Sequence, residues 1–327
     1  TELILREQGM KIDKAGFDAG MQKQKQRSRI EAAKDVDDWT EVQPENPGDF
    51  IGYDYLDAEV KIIRYRKVVS KKKTLYHLVF NHTPFYAESG GQVGDTGFIQ
   101  NENEKIRILD TQKEHNIIIH TGEKLPDNLN AVFKASVDRE KRELTKCNHT
   151  ATHLMHHALR DVLGEHVEQK GSLVDDKRLR FDFSHFKKLS PEEIKRVEAQ
   201  VNHNIRMNYP LEEQRSTSMT KAKEMGALAF FGEKYGDEVR VIKFGDSVEL
   251  CGGTHAEATG NIGFFKITEE TSIAAGIRRI EAVTAKEAEK FFRNELDELN
   301  SIRELFKNPE HLRDKIVKAF DENKALK

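Results

Sequence analysis

The sequence predicts an α+β protein: a small β-barrel, then a mixed α/β core, flanked by N- and C-terminal helices. Three observations predict it. From Phe50 to about Arg142, short runs of alternating polarity are separated by Gly- and Asn-rich turns, the pattern of a small barrel. From about Glu143, capped helical stretches mix with strands. The two ends, up to Lys34 and from Ala285, read as charged helix.

In chain order, Asp13 to Lys34 reads as one helix. Phe17 and Met21 lie at i, i+4, and Lys23, Lys25, Arg27 and Arg29 crowd its second half. Asp35 to Asp49, with Pro44, Pro47, Gly48 and several acids, reads as a linker. Tyr76, Leu78 and Phe80 alternate with Leu75, His77 and Val79, and Ser70 to Lys73 form a polar hairpin tip. Further strands surround Ile106, Ile117 and Val132. Asn148 is read as the cap of a helix running to about Leu163 and closed by Gly164. Ser190-Pro191-Glu192-Glu193 starts another, with a capping box and proline in the first turn, which ends before Pro210. Strands follow near Val239–Phe244, Ser247–Leu250, Gly263–Glu269 and Arg278–Val283, and a charged helix broken at Pro309 closes the chain. The resulting division is 1–49, 50–142, 143–284 and 285–327.

Composition narrows the function. The 327 residues carry 53 Lys+Arg against 56 Asp+Glu, a formal net charge of −3. A global basic field is absent, so any nucleic-acid contact rests on a local patch. No run approaches the ~18 apolar residues of a membrane span, and no secretory signal precedes Leu3. Two cysteines, Cys147 and Cys251, exclude a disulfide scaffold and suit a reducing compartment. The chain opens on Thr1 without Met, and we read it as an excised piece of something longer.

The chemistry concentrates in two short motifs. His149-Thr-Ala-Thr-His153 places two imidazoles at i, i+4, on one helix face. The metalloprotease arrangement needs Glu after the first His; Thr150 stands there, which disfavours peptide hydrolysis by that route. Cys251-Gly-Gly-Thr-His255 offers a thiolate and an imidazole on a glycine-flexed turn. Together the four fill a tetrahedral Zn²⁺ shell, and this mixture of soft and borderline donors favours zinc over Mg²⁺ or Ca²⁺. Spacing leaves His156 open as a ligand, seven residues after His149. Cys147 reads as a buried apolar thiol.

These motifs stand in one order with Val167-Glu-Gln-Lys-Gly-Ser-Leu-Val174, Arg180-Phe-Asp-Phe-Ser-His185, Ala274-Ala-Gly-Ile-Arg-Arg-Ile-Glu-Ala-Val283 and, upstream, Thr83-Pro-Phe-Tyr-Ala-Glu-Ser-Gly-Gly-Gln92. The set resembles the editing region of bacterial alanyl-tRNA synthetases over nearly the whole chain. Related modules occur in threonyl-tRNA synthetases and in freestanding AlaX-type deacylases. The first helix then resembles the end of the tRNA-recognition part, though a plain solvated helix fits it equally. The stretch after Ala285 resembles the start of the family's C-terminal helical part, through which the parent is expected to homo-oligomerise. The ATP- and Mg²⁺-dependent aminoacylation half is expected to precede Thr1; nothing in the chain resembles it, and no GxxxxGK[ST] loop is present.

The resemblance implies a cytoplasmic hydrolase acting on serine or glycine esterified to alanine tRNA, with the tRNA acceptor end as partner and neither DNA nor membrane. A pocket that accepts alanine cannot strongly exclude glycine or serine, so a second, hydrolytic site supplies the missing selectivity. By position, His149, His153, Cys251 and His255 hold zinc. Thr152 senses the amino-acid side chain, Gln169 and Ser172 bind the ester region or the water, and Arg278 meets the terminal phosphates or ribose. Plainer readings stand beside these: Thr152 bonds the backbone behind it, Ser172 is a turn residue, Arg278 is a surface cation. Four protein ligands would close the zinc shell, which leaves a structural ion and a water-activating one both open. The glycine-rich Ser89 to Gly97 lacks Walker and dinucleotide spacing; it reads as β-turn glycines or as a wall of the cleft. Basic clusters at Lys71–Lys73, Lys177–Arg180 and Lys187–Lys188 are the candidates for RNA contact. The competing functions are a zinc-stabilised tRNA-binding module without turnover, a freestanding deacylase and an unrelated metallohydrolase.

Overall fold

The stretch read as a linker is partly strand. In the computed structural model, which describes residues 35–70, 73–228, 236–307 and 309–326, β1 (Asp35–Val36) and β2 (Thr40–Glu41) both pair with the long β3 (Asp57–Ser70). Trp39 between them lies 4.4 Å from the Arg66 guanidinium, and this cation–π contact ties the segment to β3. Composition hid this, because acids and prolines mark an edge as readily as a linker. The helix expected over Asp13–Lys34 and the residues Lys71 and Lys72 lie outside the described residues.

Five further strands follow: β4 (Lys73–Phe80), β5 (Gly97–Gln100), β6 (Lys105–Glu114), β7 (Ile117–Gly122) and β8 (Val132–Val137). The order β3-β4-β7-β6-β5-β8 closes because β8 pairs back onto β3, Asp57 opposite Ser136, giving a six-stranded antiparallel barrel. Alternation does the sorting: on β6, Ile106 and Ile108 point inward while Lys105 and Arg107 stay exposed. Ile62, Leu78, Ile99 and Phe133 join them in a dry interior.

The second half is a mixed α/β layer. Helix α1 (Arg139–Leu163) is followed by β9 (Gln169–Val174), β10 (Leu179–Ser184), α2 (Pro191–Arg206), β11 (Glu212–Ser218) and α3 (Met219–Glu224). Then come β12 (Glu238–Phe244), β13 (Ser247–Leu250), a 3-10 turn at Thr259–Ile262, β14 (Phe265–Ala274) and β15 (Ile277–Thr284). Two helices finish the chain, α4 (Ala285–Leu305) and α5 (Leu312–Ala325). The strands form two antiparallel sheets, β14-β15-β10-β9 and β11-β12-β13. Leu154 and Leu159 of α1 and Val197 of α2 bury against Phe181, Phe183 and Ile280 of the four-stranded sheet.

Helix α1 starts nine residues before the expected cap. Asp138 caps it, its carboxylate accepting from the Lys141 amide at 3.1 Å. Asn148 sits inside the helix and is buried; its side chain donates to Asp175 O at 2.8 Å and accepts from the Thr284 hydroxyl at 2.7 Å. A capping residue type was therefore spent on a tertiary bond. Gly164, at φ 116°, closes the helix as expected, and Ser190 with Glu193 forms the expected capping box of α2.

Several contacts lock the halves together. The loop after β4 lies along β9, with Val174 N donating to Gly91 O (2.7 Å) and Val93 N to Val174 O (3.0 Å). Arg142, fully buried on α1, pairs with Asp95 and donates to Gly52 O and Pro84 O at 2.7 and 2.9 Å. Among the described residues no helix is long and apolar enough to cross a membrane.

Candidate metal centre and cleft

Helix α1 and the turn after β13 each deliver half of one donor cluster. One atom from each of His149, His153, Cys251 and His255 lies within 4.8 Å of the others. Cys251 Sγ is 3.5 Å from His149 Nε2 and 3.3 Å from His255 Nε2. Tetrahedral zinc with bonds near 2.0–2.3 Å requires ligand separations of about 3.3–3.8 Å, and both distances from Cys251 Sγ fall in that range. His156, left open by spacing, points elsewhere: its Nδ1 is 2.8 Å from Glu249 Oε1. Cys147 is buried and donates to Asn261 O at 3.3 Å; burial pushes its thiol up to about 11, the chemistry of a packed thiol.

Each donor residue has a neighbour that holds it in place. Gln92 Oε1 is 2.8 Å from His149 Nδ1 and accepts from the Thr254 amide at 2.9 Å, while Gln92 Nε2 donates to the Thr254 hydroxyl. With Nδ1 donating, Nε2 of His149 carries the lone pair that faces Cys251. Thr150 Oγ1, which accepts from the Ala256 amide, lies 3.2 Å from His255 Nδ1. Buried Glu249 sits 3.3 Å from His153 Nε2. The Gly253 amide donates to Cys251 Sγ at 3.3 Å.

Arg240 fixes the cysteine turn from below. It donates to Cys251 O (2.9 Å) and Gly253 O (2.6 Å) and pairs with Glu213 at 2.6 Å. Tyr53 of the barrel half covers that guanidinium at 4.1 Å and donates to Gly252 O at 2.6 Å. Burial, aided by neighbouring imidazoles and by Arg240, holds His149 and His255 well below their ordinary range. Burial lowers His153 as well. Three neutral imidazoles and a thiol form a donor set ready for a soft or borderline cation.

Gly253 is required by close approach: a Cβ there would lie 2.1 Å from His149 Cε1.

The cluster opens into a cleft of about 500 Å³. Thr152, Gln169 and Ser172 line it together with His149, His153 and Cys251. Thr152 also donates to Asn148 O at 2.8 Å, the backbone bond of its plainer reading. The glycine-rich segment fills both of its roles. Gly90 and Gly91 have φ of 59° and 87°, and Ser89 and Gly90 form part of the cleft wall. Arg278 is not brought to the lining; it pairs with Glu270 at 2.5 Å. In the basic clusters, Arg178 is engaged by Glu281 at 2.5 Å, and Lys187 and Lys188 are exposed.

Two stretches of the sequence match family models. The family model described as tRNA synthetases class II (A) matches residues 1–142, and that of the threonyl and alanyl tRNA synthetase second additional domain matches residues 239–281. The first match corrects the expectation that nothing here resembles the class II half. It covers the stretch whose described residues build the barrel and the start of α1. The second covers β12 to β15, including Cys251, His255 and Arg278. The alanine–tRNA ligase of Bacteroides fragilis is 54% identical over all 327 residues, and that of Parabacteroides distasonis 51%. That of Cytophaga hutchinsonii is 53% identical over 313 residues, 95% of the chain. The chain spans 36–37% of the length of these relatives. It is therefore homologous to a region of the alanine–tRNA ligases, with class II synthetase sequence at one end and the second additional domain toward the other.

Proposed function

We propose that the His/Cys cleft is the editing site of an alanine–tRNA ligase, hydrolysing the ester that joins serine or glycine to the acceptor end of alanine tRNA. One observation carries the reading: the four-donor cluster shares a cleft with Thr152, Gln169 and Ser172, a set that a purely structural metal does not need. In this reading 50–142 is the barrel domain, 143–284 the editing core, and 1–49 and 285–327 are flanking pieces of the longer ligase. The ATP-dependent step of that ligase is not assigned to this cleft.

Zn²⁺ is the ion the donors suit; held by His149, His153, Cys251 and His255, it would supply a Lewis acid for the lone pair of the neutral substrate amine. The protein does the rest. Thr152, one helical turn from His149, presents its hydroxyl where the serine side chain lies and gains nothing from the methyl of alanine. Gln169 and Ser172 hold the ester and the incoming water. The water oxygen adds to the ester carbonyl carbon, the bond to the ribose oxygen breaks, and that oxygen takes up the proton. Free serine and uncharged tRNA leave. Arg278 reaches a terminal phosphate or the ribose by exchanging Glu270 for it.

The test is release of serine and of alanine from separately charged alanine tRNA, with and without a zinc chelator. Rapid serine release that spares alanine, and is lost with chelator and in Cys251→Ala, is expected. Serine release unchanged in a metal-free Cys251→Ala protein would refute the zinc assignment. A closed four-ligand shell also favours a second reading, a zinc-stabilised tRNA-binding module; tRNA binding without any release would establish it.

A further inference from the structure

The barrel's outer face carries a surface unrelated to the metal cleft. Register places its side chains in two rows across β6, β5 and β8. Lys105, Gln100 and Lys134 form one row; Arg107, Phe98 and Ser136 form the other. All six border a hollow of about 660 Å³. Two acids border it as well, and both are committed: Asp57 to Arg139 at 3.2 Å, and Asp138 to the cap of α1. Among the described residues no carboxylate lies within ion-pair distance of Lys105, Arg107 or Lys134, and all three are exposed. Glu59, opposite Lys134 on β3, is the nearest acid in register and does not pair with it. Phe98 lies half-buried among them, with Lys105 Nζ 3.5 Å from its ring centroid.

Cations without an acid partner, spaced along a sheet around an aromatic ring and two hydrogen-bonding side chains, match a phosphate backbone with a base beside it. An acidic peptide would use the cations but not the ring. We propose that this face is an RNA-contact surface, which takes the sugar-phosphate backbone of a tRNA whose esterified end occupies the cleft. The proposal rests on the editing reading for its choice of RNA. It explains how a chain of net charge −3 retains a polyanion, through one patch and not a global field.

The experiment is fluorescence anisotropy of uncharged alanine tRNA titrated with the 327-residue chain over a range of salt, for the parent, Arg107→Glu/Lys134→Glu and Phe98→Leu. The double variant is expected to lose at least about tenfold in affinity, and its log–log salt slope to fall by about two. Phe98→Leu keeps the apolar volume and is expected to weaken binding severalfold with the slope unchanged. Deacylation by the double variant should show a raised KM with an unaltered kcat. Metal content and thermal unfolding check that both variants are folded. Equal affinity and slope in parent and double variant would overturn the proposal, and so would displacement of tRNA by polyglutamate as effectively as by unlabelled tRNA. A parent that binds tRNA through Arg107 and Lys134 but releases no serine would refute the editing reading and leave this surface standing.

Discussion

Gln92 Oε1 and His149 Nδ1 meet at 2.8 Å, so a barrel-half side chain sets the direction of a ligand on the first helix of the other half. The same oxygen accepts from the Thr254 amide in the cysteine turn, so one amide group orients both parts of the donor cluster. Gln92→Leu removes both bonds, and the Nε2 bond to the Thr254 hydroxyl, in a fully buried position. Metal affinity should fall about 10–100-fold, as for other groups that orient metal ligands. Competition with a chromophoric chelator measures it, with Gln92→Glu as a variant that keeps the acceptor.

The two glycines of the Cys251 turn give opposite expectations. Alanine at 253 would place its methyl against His149 Cε1, whereas at 252 nothing lies within 4 Å. Gly253→Ala should therefore displace His149 and cut metal retention at least about 100-fold, a loss of ~3 kcal/mol or more. Gly252→Ala should retain the metal. Metal content after dialysis, measured on both, separates a packing cause from general intolerance of the turn.

The barrel should weaken in acid through one histidine. His120 is fully buried, 2.8 Å from Thr83 Oγ1 and 3.1 Å from Leu78 O, and stacked on Phe80. Burial lowers its pKa from 6.5 to about 3. Below pH 6.5 the unfolded chain therefore binds a proton that the folded chain refuses. Stability is fully present above pH 6.5 and falls by up to ~1.4 kcal/mol per unit toward pH 3. His120→Leu should flatten that limb, at a cost of about 1 kcal/mol at neutral pH for the lost bonds. Urea unfolding followed at Trp39, the single tryptophan, gives both numbers.

Arg142 and Asp95 form a fully desolvated pair at the junction of the halves. Arg142→Met strands the Asp95 charge and should cost about 3–5 kcal/mol. Arg142→Met with Asp95→Leu should recover much of that, because neither charge then remains buried. Chemical denaturation of four proteins, the parent, Arg142→Met, Asp95→Leu and the double variant, yields the coupling energy.

The two ligand pairs were legible because each is local: i, i+4 on a helix and CxxxH on a turn are spacings that one segment fixes by itself. The capping box at Ser190 was legible for the same reason. Gln92, Glu249, Arg240 and Tyr53 were not, because each reaches the cluster across tertiary distance and carries no local pattern. The family resemblance implies a substrate contact for Arg278; in the structure it pairs with Glu270 one strand away. Asn148 misled for a related reason, since an asparagine side chain serves a helix cap or a tertiary bond equally well. Short strands predicted a barrel, but nothing in β8 alone announced that it closes on β3.

That closure sets the order in which the barrel can assemble. β3 meets β4 through a short hairpin, a contact available early and at small entropic cost. Its Asp57–Lys61 end pairs with β8, and Asp57 must wait for Ser136 from the far end of the barrel sequence. During synthesis, the Asp57–Lys61 stretch of β3 therefore spends its first moments as an open edge, while β1 and β2 already border Arg64–Val69. That is the interval in which the nascent chain is most exposed to mispairing with a neighbour, and it ends only when β8 has left the ribosome.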